Sequence, residues 1–309
     1  MGICSGAGMD PFFDDLIFRG LLPIVQYLMK VGEVVYDIKS PVPLPWRDSD
    51  FSFRLESPPN DFSCHVVVKR VERISEESNP CYQSNGIAAR VEPDGVQIRT
   101  HRAMYAKNHP VFARSIDGPG GIVIEALTSD EVWNNPCISV WSLLHLENHL
   151  LDTGGLILHC CYLMQGGEAI LFTAPSGIGK TTQGKLWERV YGAEIINGDK
   201  AVLQRDPEGW LAMGYPFHGS APECRNESYP VRAIAVVQQA EGDWVEKVSP
   251  AEAAILLYEG VTVNVWDRER SVRALDLLQE LIADVPIVRL HCTMRESAAK
   301  TLHNYLYGE

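Results

Sequence analysis

The hydrophobic positions in the first half of the chain come in short runs, separated by residues that favour turns. Asp94-Gly95 and Asp117-Gly118 mark two of these turns. The β-prone runs cover residues 51–55, 64–68, 95–99 and 121–125. Ahead of them, the pattern from Leu16 to Leu28 predicts a helical or irregular lead, and the proline-rich stretch 41–45 excludes regular structure. We therefore predict a β-rich accessory domain over residues 1–150, of unknown task.

The second half has a different pattern, in which apolar strands alternate with stretches of helical periodicity. Strands are predicted at residues 156–164, 168–173, 193–196, 231–238 and 286–291, with a hairpin over 201–213. Helices are predicted at residues 181–191, in two segments after residue 249, and from about residue 295. This alternation is typical of an α/β domain, which we expect over residues 151–309.

Two local patterns refine the helices of this domain. Ser249 and Glu252 form a capping box, with Pro250 at the first helical position. A stripe of apolar residues at helical spacing indicates packing against the core in the following helix. Its members are Ala274, Leu275, Leu278 and Leu281.

Composition narrows the classes of function. The 309 residues carry 27 Lys+Arg against 40 Asp+Glu, a formal net charge of −13 at pH 7. We therefore expect no nucleic-acid partner and no membrane partner, because both need clustered basic residues. No apolar run approaches the roughly 20 residues of a membrane span, and the first residues lack the features of a secretory signal, so we expect a cytoplasmic protein. The eight cysteines show no zinc-binding spacing and are expected to be mostly buried thiols.

Residues 171–182 carry the clearest chemical signal, because a strand enters a glycine loop that opens a helix. This is the pattern of a Walker A phosphate loop, with Ala174 where the pattern begins with glycine. The amides of such a loop and the positive end of the helix bind an anion. Lys180 adds a charge towards the β- and γ-phosphates, and Thr181 offers a hydroxyl to Mg²⁺. The predicted nucleotide-binding positions are Ser176, Gly177, Ile178, Gly179, Lys180, Thr181 and Thr182. The alternative is a strand, turn and helix without a ligand.

Asp199 is the candidate general base, 19 residues after Lys180 at the end of the next predicted strand. A carboxylate in that place can take a proton from a hydroxyl, or bind Mg²⁺ directly or through water. The alternative is an ordinary turn aspartate after Gly198. His159 lies on the strand before the loop, where a lone histidine is more typical of the core.

His159, the loop Ser176–Thr181 and Asp199 together resemble HPr kinase/phosphorylase and its relatives. These are bacterial P-loop serine kinases whose catalytic domain is related to phosphoenolpyruvate carboxykinase. The resemblance spans roughly residues 155–240 and, more loosely, the rest of the C-terminal half. It implies a β-rich N-terminal accessory domain followed by an HPr kinase-like α/β kinase domain that uses ATP and Mg²⁺. It also implies that His159 contacts the phosphates or tunes Asp199.

Two departures from the family pattern bear on the substrate. The family has adjacent aspartates at the strand end, whereas this chain has Asp199-Lys200, so the second metal-binding carboxylate is missing or comes from elsewhere. Residues 214–228 replace the glycine-rich signature of the HPr-specific enzymes, which argues against HPr as the substrate. The resemblance implies metal and phosphate contacts from Glu223 and Arg225. His218, in the same segment, is a further candidate for a phosphate or substrate contact. The alternative for this segment is a plain surface loop.

The chain is more similar to divergent HPr kinase-like proteins of peptide-modifying systems, including lasso-peptide kinases. We therefore expect a phosphotransferase that moves the γ-phosphoryl of ATP to a hydroxyl, with Asp199, Lys180 and His159 as catalytic residues. A serine of a peptide or protein, such as a ribosomal precursor peptide, is the favoured acceptor, and the resemblance suggests a homo-oligomer. The alternatives are a nucleotide-binding switch or assembly factor without kinase activity, a kinase of free serine or an organic acid, a carboxykinase-type enzyme, and a protein-interaction module.

Overall fold

The computed structural model describes residues 24–308, apart from residues 42, 45, 47, 76–78, 85, 103–110, 128–139 and 217–222. In this part the chain is mixed α/β and rich in strands. It divides into two units, with the change from the first to the second between Leu146 and Glu147, and residues 31–33 belong to the second. None of the helices described is long and apolar enough to cross a bilayer.

The first unit is built on an eight-stranded sheet. Its strands are β1 (Val25–Val31), β2 (Val34–Ser40), β3 (Cys64–Val71), β4 (Tyr82–Ser84), β5 (Ile87–Val91), β6 (Gln97–Arg102), β7 (Val111–Gly118) and β8 (Gly121–Leu127). Their order in the sheet is β1-β2-β3-β8-β7-β6-β5-β4. The β2–β3 and β3–β8 pairs are parallel, whereas β4 to β8 are joined by antiparallel pairs. The predicted strands at 64–68 and 121–125 are confirmed as parts of β3 and β8.

Two predictions for this unit are wrong. The expected helical or irregular lead overlaps β1 from Val25 onwards, while its residues 16–23 lie outside the described residues. The expected strand at 51–55 is replaced by a 3₁₀ helix, Asp48–Phe53. This helix is held by Trp141, whose indole nitrogen donates to Asp50 over 2.9 Å and whose ring packs edge to face with Phe53. Contacts with a residue distant in sequence therefore override the local β propensity.

A cluster of buried polar side chains also joins strands of this unit. Ser115 Oγ lies 2.7 Å from Nε2 of His145 and 3.0 Å from Nε2 of His101. Nδ1 of His145 lies 3.5 Å from Oδ2 of Asp117. All four residues are buried. Because buried polar groups cost free energy unless they are hydrogen-bonded, the cluster ties β6 and β7 to the segment that ends the unit.

The second unit is built around two long strands, β9 and β14, that pair with different partners along their length. Its strands are β9 (Gly155–Gln165), β10 (Glu168–Thr173), β11 (Glu194–Asn197), β12 (Lys200–Arg205), β13 (Trp210–Met213), β14 (Ser228–Gln239), β15 (Trp244–Lys247) and β16 (Ile287–Cys292). The helices are α1 (Leu146–Asp152), α2 (Lys180–Tyr191), α3 (Pro250–Tyr258), α4 (Arg268–Asp284) and α5 (Glu296–Tyr307). The 3₁₀ helix Val140–Leu143, which comes before them in the chain, belongs to the first unit. The predicted strands, hairpin and helices of residues 156–307 are present within a few residues of their expected bounds.

The strand pairing determines which ends meet at one edge. β9 pairs with β10 on one side and with β11 and β12 on the other. β14 pairs in parallel with both β10 and β16, and antiparallel with β13. The parallel strands β10, β14 and β16 therefore bring their carboxyl ends, Thr173, Gln239 and Cys292, to the same edge of the sheet.

Helices cover both faces of this sheet. α2 and α5 contribute to a core cluster on one face that includes Phe172, Trp187 and Leu302. α3 and α4 contribute to the cluster on the other face. The predicted stripe of α4 is correct except at Leu275, which is 39% exposed, and Leu277 takes the inward position instead.

The predicted capping box is half confirmed. Ser249 caps α3 by accepting from the amide of Glu252 over 3.3 Å, with Pro250 in the first turn. The carboxylate of Glu252 pairs with Arg289 of β16, and this ion pair replaces the expected return bond to the cap residue. A long-range ion pair with a neighbouring strand thus changes a motif that the local sequence predicts.

Gly214, which follows β13, is a position where a side chain has no room. A Cβ added there would lie 2.1 Å from the carbonyl oxygen of Arg225, and the Gly214 amide donates to the carbonyl of Glu227 over 2.9 Å. We expect Gly214→Ala to lower the free energy of unfolding by about 1–3 kcal/mol, because backbone would have to move. Denaturant unfolding measures this. Gly120→Ala is the control, since its Cβ would meet no atom within 4 Å, and a loss at Gly214 no larger than the control's would contradict the packing described.

Candidate functional site

The loop between β10 and α2 has the backbone conformation that its glycines predict. Gly177 and Gly179 have φ angles of 83° and 122°, in the region that residues with a Cβ rarely adopt. No atom lies within 4 Å of a Cβ built on Gly177, so conformation and not crowding requires glycine there. These two residues turn the chain from the end of β10 into the first turn of α2 within six residues.

The amino end of α2 carries no side-chain cap. Gly179 is the cap residue and cannot accept a hydrogen bond through a side chain, so the amides of the first turn are left to other partners. Thr181 and Thr182 lie half-buried on this turn. Free amides and the positive end of the helix dipole at one point favour an anion.

Lys180 is the first residue of α2, and its side chain reaches back to the loop. It is 7% exposed, and its ammonium donates to the carbonyl of Ala174 over 3.0 Å and to that of Pro175 over 3.5 Å. Burial lowers its pKa, while the charge of Asp199 acts in the opposite direction. It forms no ion pair with any carboxylate in the described part of the chain. Carbonyl groups do not neutralise the charge of a buried ammonium, so a bound anion would stabilise it further.

Asp199 lies in the turn between β11 and β12, and Asn197 shapes this turn. The side-chain oxygen of Asn197 accepts from the amides of Asp199 and Lys200 over 2.8 and 3.0 Å. Its side-chain nitrogen donates to the carbonyl of Tyr215 over 2.9 Å, and the residue is fully buried. Asn197 is not among the predicted site residues, although Asn-Gly before the aspartate is a turn signal in which the asparagine side chain hydrogen-bonds to backbone amides that follow it.

A single residue of β9 lies between the loop and Asp199. Cys160 is paired with Thr173, the last residue of β10, on one side. On the other side its amide donates to the carbonyl of Asp199 over 3.0 Å. Neighbouring strands are about 4.8 Å apart, so the start of the loop and Asp199 are separated by roughly two strand spacings.

His159, next to Cys160, contacts both sides of this arrangement. Its Nε2 lies 3.6 Å from Oδ1 of Asp199, and its carbonyl accepts from Thr173 Oγ1 over 2.9 Å. The interaction with His159 is the main reason why the pKa of Asp199 lies below its usual value, with Lys200 and Lys180 adding to the effect and burial opposing it. Asp199 is therefore a carboxylate at neutral pH.

The other residues expected at the site have different partners. Glu223 pairs with Lys185 of α2, with Oε1 2.7 Å from the ammonium. Arg225 pairs with Glu194 at the beginning of β11, whereas Asp199 follows the end of that strand. The expected contact from His218 lies outside the described residues. Within residues that the structure describes, no three His, Cys, Asp or Glu side chains form a group that could hold a metal ion.

The site lies within the part of the chain that matches a known family. The family model is described as SynChlorMet cassette protein ScmC, and it matches residues 124–296, more than half of the chain. The chain belongs to the ScmC family. The residues that the family model matches include the loop, Asp199 and His159. A search of curated proteins finds no match to this ScmC chain.

The ScmC chain also aligns with a solved structure, the Hpr(Ser) kinase/phosphatase from Coxiella burnetii. The two are 11% identical, with a TM-score of 0.30, and the alignment covers 49% of this chain and 93% of the other. This TM-score is too low to establish a shared fold. The kinase function suggested by the sequence resemblance therefore stays a prediction for this ScmC protein.

The contact between His159 and Asp199 can be tested by titration. We expect His159→Gln to raise the pKa of Asp199 towards its ordinary value of 3.8, because the main interaction that stabilises the carboxylate is removed. Carbon NMR of the Asp199 carboxyl, assigned with Asp199→Asn, measures the shift. His303→Gln on α5 is the control and leaves this pKa unchanged.

The same pKa predicts how stability depends on pH. A carboxyl whose pKa is lowered by folding stabilises the protein above its unfolded pKa, and this contribution is lost as the pH falls through the folded value. The stability difference between wild type and Asp199→Asn should therefore shrink as the pH falls below about 4. An unchanged difference down to pH 2, together with an unchanged pKa in His159→Gln, would mean that the pair does not form.

Proposed function

We propose that this ScmC family member is an ATP- and Mg²⁺-dependent phosphotransferase that moves the γ-phosphoryl group to a hydroxyl. The observation that carries the proposal is the placement of two opposite charges around one residue of β9. Lys180 and the uncapped end of α2 lie on one side of Cys160, and the Asp199 carboxylate lies on the other. A cation that forms no ion pair among the described residues, near an ionised carboxylate, is the arrangement that suits transfer between a bound phosphate and a hydroxyl.

The loop and Lys180 would bind the β- and γ-phosphates through backbone amides and the ammonium. Thr181 and Asp199 are the residues that would hold Mg²⁺, directly or through water. Two protein oxygens fit this ion, because Mg²⁺ usually keeps several waters and is bound by one or two carboxylates together with substrate phosphates. Bound there, it would offset negative charge on the phosphate oxygens.

In the transfer itself, the acceptor oxygen forms a bond to the γ-phosphorus while the bond from that phosphorus to the bridging oxygen breaks. ADP leaves, and the hydroxyl proton passes to Asp199. Because the pKa of Asp199 is low, the carboxylate first accepts a hydrogen bond that orients the hydroxyl, and takes the proton once the oxygen has become acidic through bond formation. His159 holds the carboxylate in place.

A serine of a peptide or protein is the acceptor that we favour, on the basis of the sequence resemblance. The family is named for a cassette. We therefore propose that the acceptor is encoded by a gene beside this one, and that a small precursor peptide is the first candidate to test.

One observation favours a second candidate, a nucleotide-binding switch without transfer activity. Lys200 follows Asp199 where HPr kinases have a second aspartate, and its ammonium lies over the ring of Tyr215, 5.5 Å from the ring centre. If two carboxylates are needed for transfer, this chain would bind ATP without transferring its γ-phosphoryl group.

Two variants separate binding from transfer. We expect Lys180→Ala to weaken ATP binding at least tenfold and to abolish transfer, since it removes the cation of the phosphate site. Asp199→Asn keeps ATP binding within a few-fold but lowers the transfer rate by roughly 10²–10⁴, the usual contribution of a proton acceptor. Calorimetry with ATP and Mg²⁺, and mass spectrometry of the peptides encoded nearby, measure the two effects.

Lys300→Ala, an exposed lysine on α5, is the matched control and behaves as wild type. Equal phosphate transfer by wild type and Asp199→Asn would exclude Asp199 as the proton acceptor. ATP binding that Lys180→Ala leaves unchanged would place the nucleotide elsewhere. Tight binding without transfer to any peptide, free serine or organic acid would favour the switch.

A further inference from the structure

A cavity of about 530 Å³ borders the loop at the carboxyl ends of β14 and β16. It is lined by residues 239–241 and 292–295. Gln239 donates to the carbonyl of Ile178 in the loop over 3.0 Å. Gln183, in the first turns of α2, donates to the carbonyl of Thr293 over 3.0 Å. The cavity and the phosphate loop therefore share a wall.

The order of the strands places this cavity and Asp199 on opposite sides of the phosphate loop. Asp199 lies beyond β9, on one side of the loop that follows β10, whereas β14 and then β16 lie on the other side. In phosphoryl transfer the attacking and leaving oxygens are roughly in line, on opposite sides of the phosphorus. An acceptor hydroxyl beside Asp199 therefore requires the rest of the nucleotide to extend towards β14 and β16.

We propose that this cavity binds the nucleoside half of ATP, with Met294 as the side chain that packs against the base. The inference rests on the proposed function, because it places the acceptor beside Asp199. A second cavity, lined by residues 205–206, 208–211, 230–231 and 284–285, lies at the amino end of β14. About 30 Å of strand separates it from Gln239, so it does not border the loop.

The chemistry of the lining suits a flat aromatic base. Met294 is 64% exposed, and its thioether is a flexible, polarisable group that makes favourable contacts with aromatic rings. Arg295 beside it is also exposed, and a guanidinium stacks on aromatic faces. Neither residue is needed to fill the core, so both are available to a ligand.

The segment that carries these side chains is held in place before any ligand binds. Asp243 accepts from the amide of Thr293 over 2.6 Å and from its hydroxyl over 3.3 Å. Asp243 also accepts from the hydroxyl of Ser297 at the start of α5. A wall that is already ordered loses less conformational freedom on binding, which favours affinity.

Comparing ATP with inorganic tripolyphosphate separates the two halves of the site. On the full chain with Mg²⁺, Met294→Ala should weaken the binding of ATP roughly three- to tenfold and leave that of tripolyphosphate within twofold, because only ATP carries a base. Met294→Leu, which keeps the bulk, should restore most of the ATP affinity. Val272→Ala, at another exposed apolar position, on α4, is the control and changes neither. Lys180→Ala should weaken both ligands.

Photolabelling gives an independent measurement. 8-Azido-ATP should label wild type within residues 239–241 or 292–295, and excess ATP should suppress the label. Unchanged ATP affinity in Met294→Ala, or a label outside these segments, would overturn the inference while leaving the phosphate site intact, since tripolyphosphate would still bind and still depend on Lys180. If wild type binds neither ATP nor tripolyphosphate, the proposed function fails and this inference falls with it.

Discussion

The position of Cys160 in β9 is the constraint on which the candidate site depends. This residue is completely buried, pairs with the last residue of β10, and bonds to the backbone of Asp199. Burial raises the pKa of its thiol well above the usual value, so a neutral group separates Lys180 from Asp199. The packing leaves little space for adjustment, because a Cβ on Gly260 would lie 3.0 Å from Thr173 Oγ1. The distance between the loop and the carboxylate is therefore set by strand pairing, which is rigid compared with a loop.

The two charges at the site are stabilised unequally, and this asymmetry explains how the site would act. Asp199 interacts with His159 and with the charges of Lys200 and Lys180, whereas the charge of Lys180 is favoured by Asp199 but its ammonium hydrogen-bonds only to carbonyls in the described part of the site. The carboxylate is thus ready in its ionised state, while the ammonium gains most from an incoming anion. Such a site contributes by positioning and by electrostatic stabilisation. In the proposed transfer a strongly basic residue would not be needed, because the hydroxyl would lose its proton as its bond to phosphorus forms.

The sequence predicted those parts of the structure that depend on neighbouring residues. The strand at 168–173, the glycine loop, the helix from Lys180 and the hairpin after Lys200 follow from periodicity and turn residues close in the chain. The 3₁₀ helix at Asp48–Phe53 and the parallel pairs of the first sheet could not be predicted, because they depend on contacts distant in sequence. The same holds at the site. The hydrogen bond from Gln183 to Thr293 joins residues 110 positions apart, and no local sequence pattern predicts it.

That distant contact has a consequence for the nucleotide. Gln183 lies in the first turns of the helix whose amino end would bind the phosphates, and its amide nitrogen contacts both Cys292 Sγ and the Thr293 carbonyl. Gln183 is buried, so these bonds are shielded from water and are costly to leave unmade. The wall of the cavity is therefore fixed relative to the phosphate loop by the helix itself. A nucleotide whose phosphates are held by the loop would meet a base-binding surface already at a defined distance, and an anion without a base would use only the first half of the site.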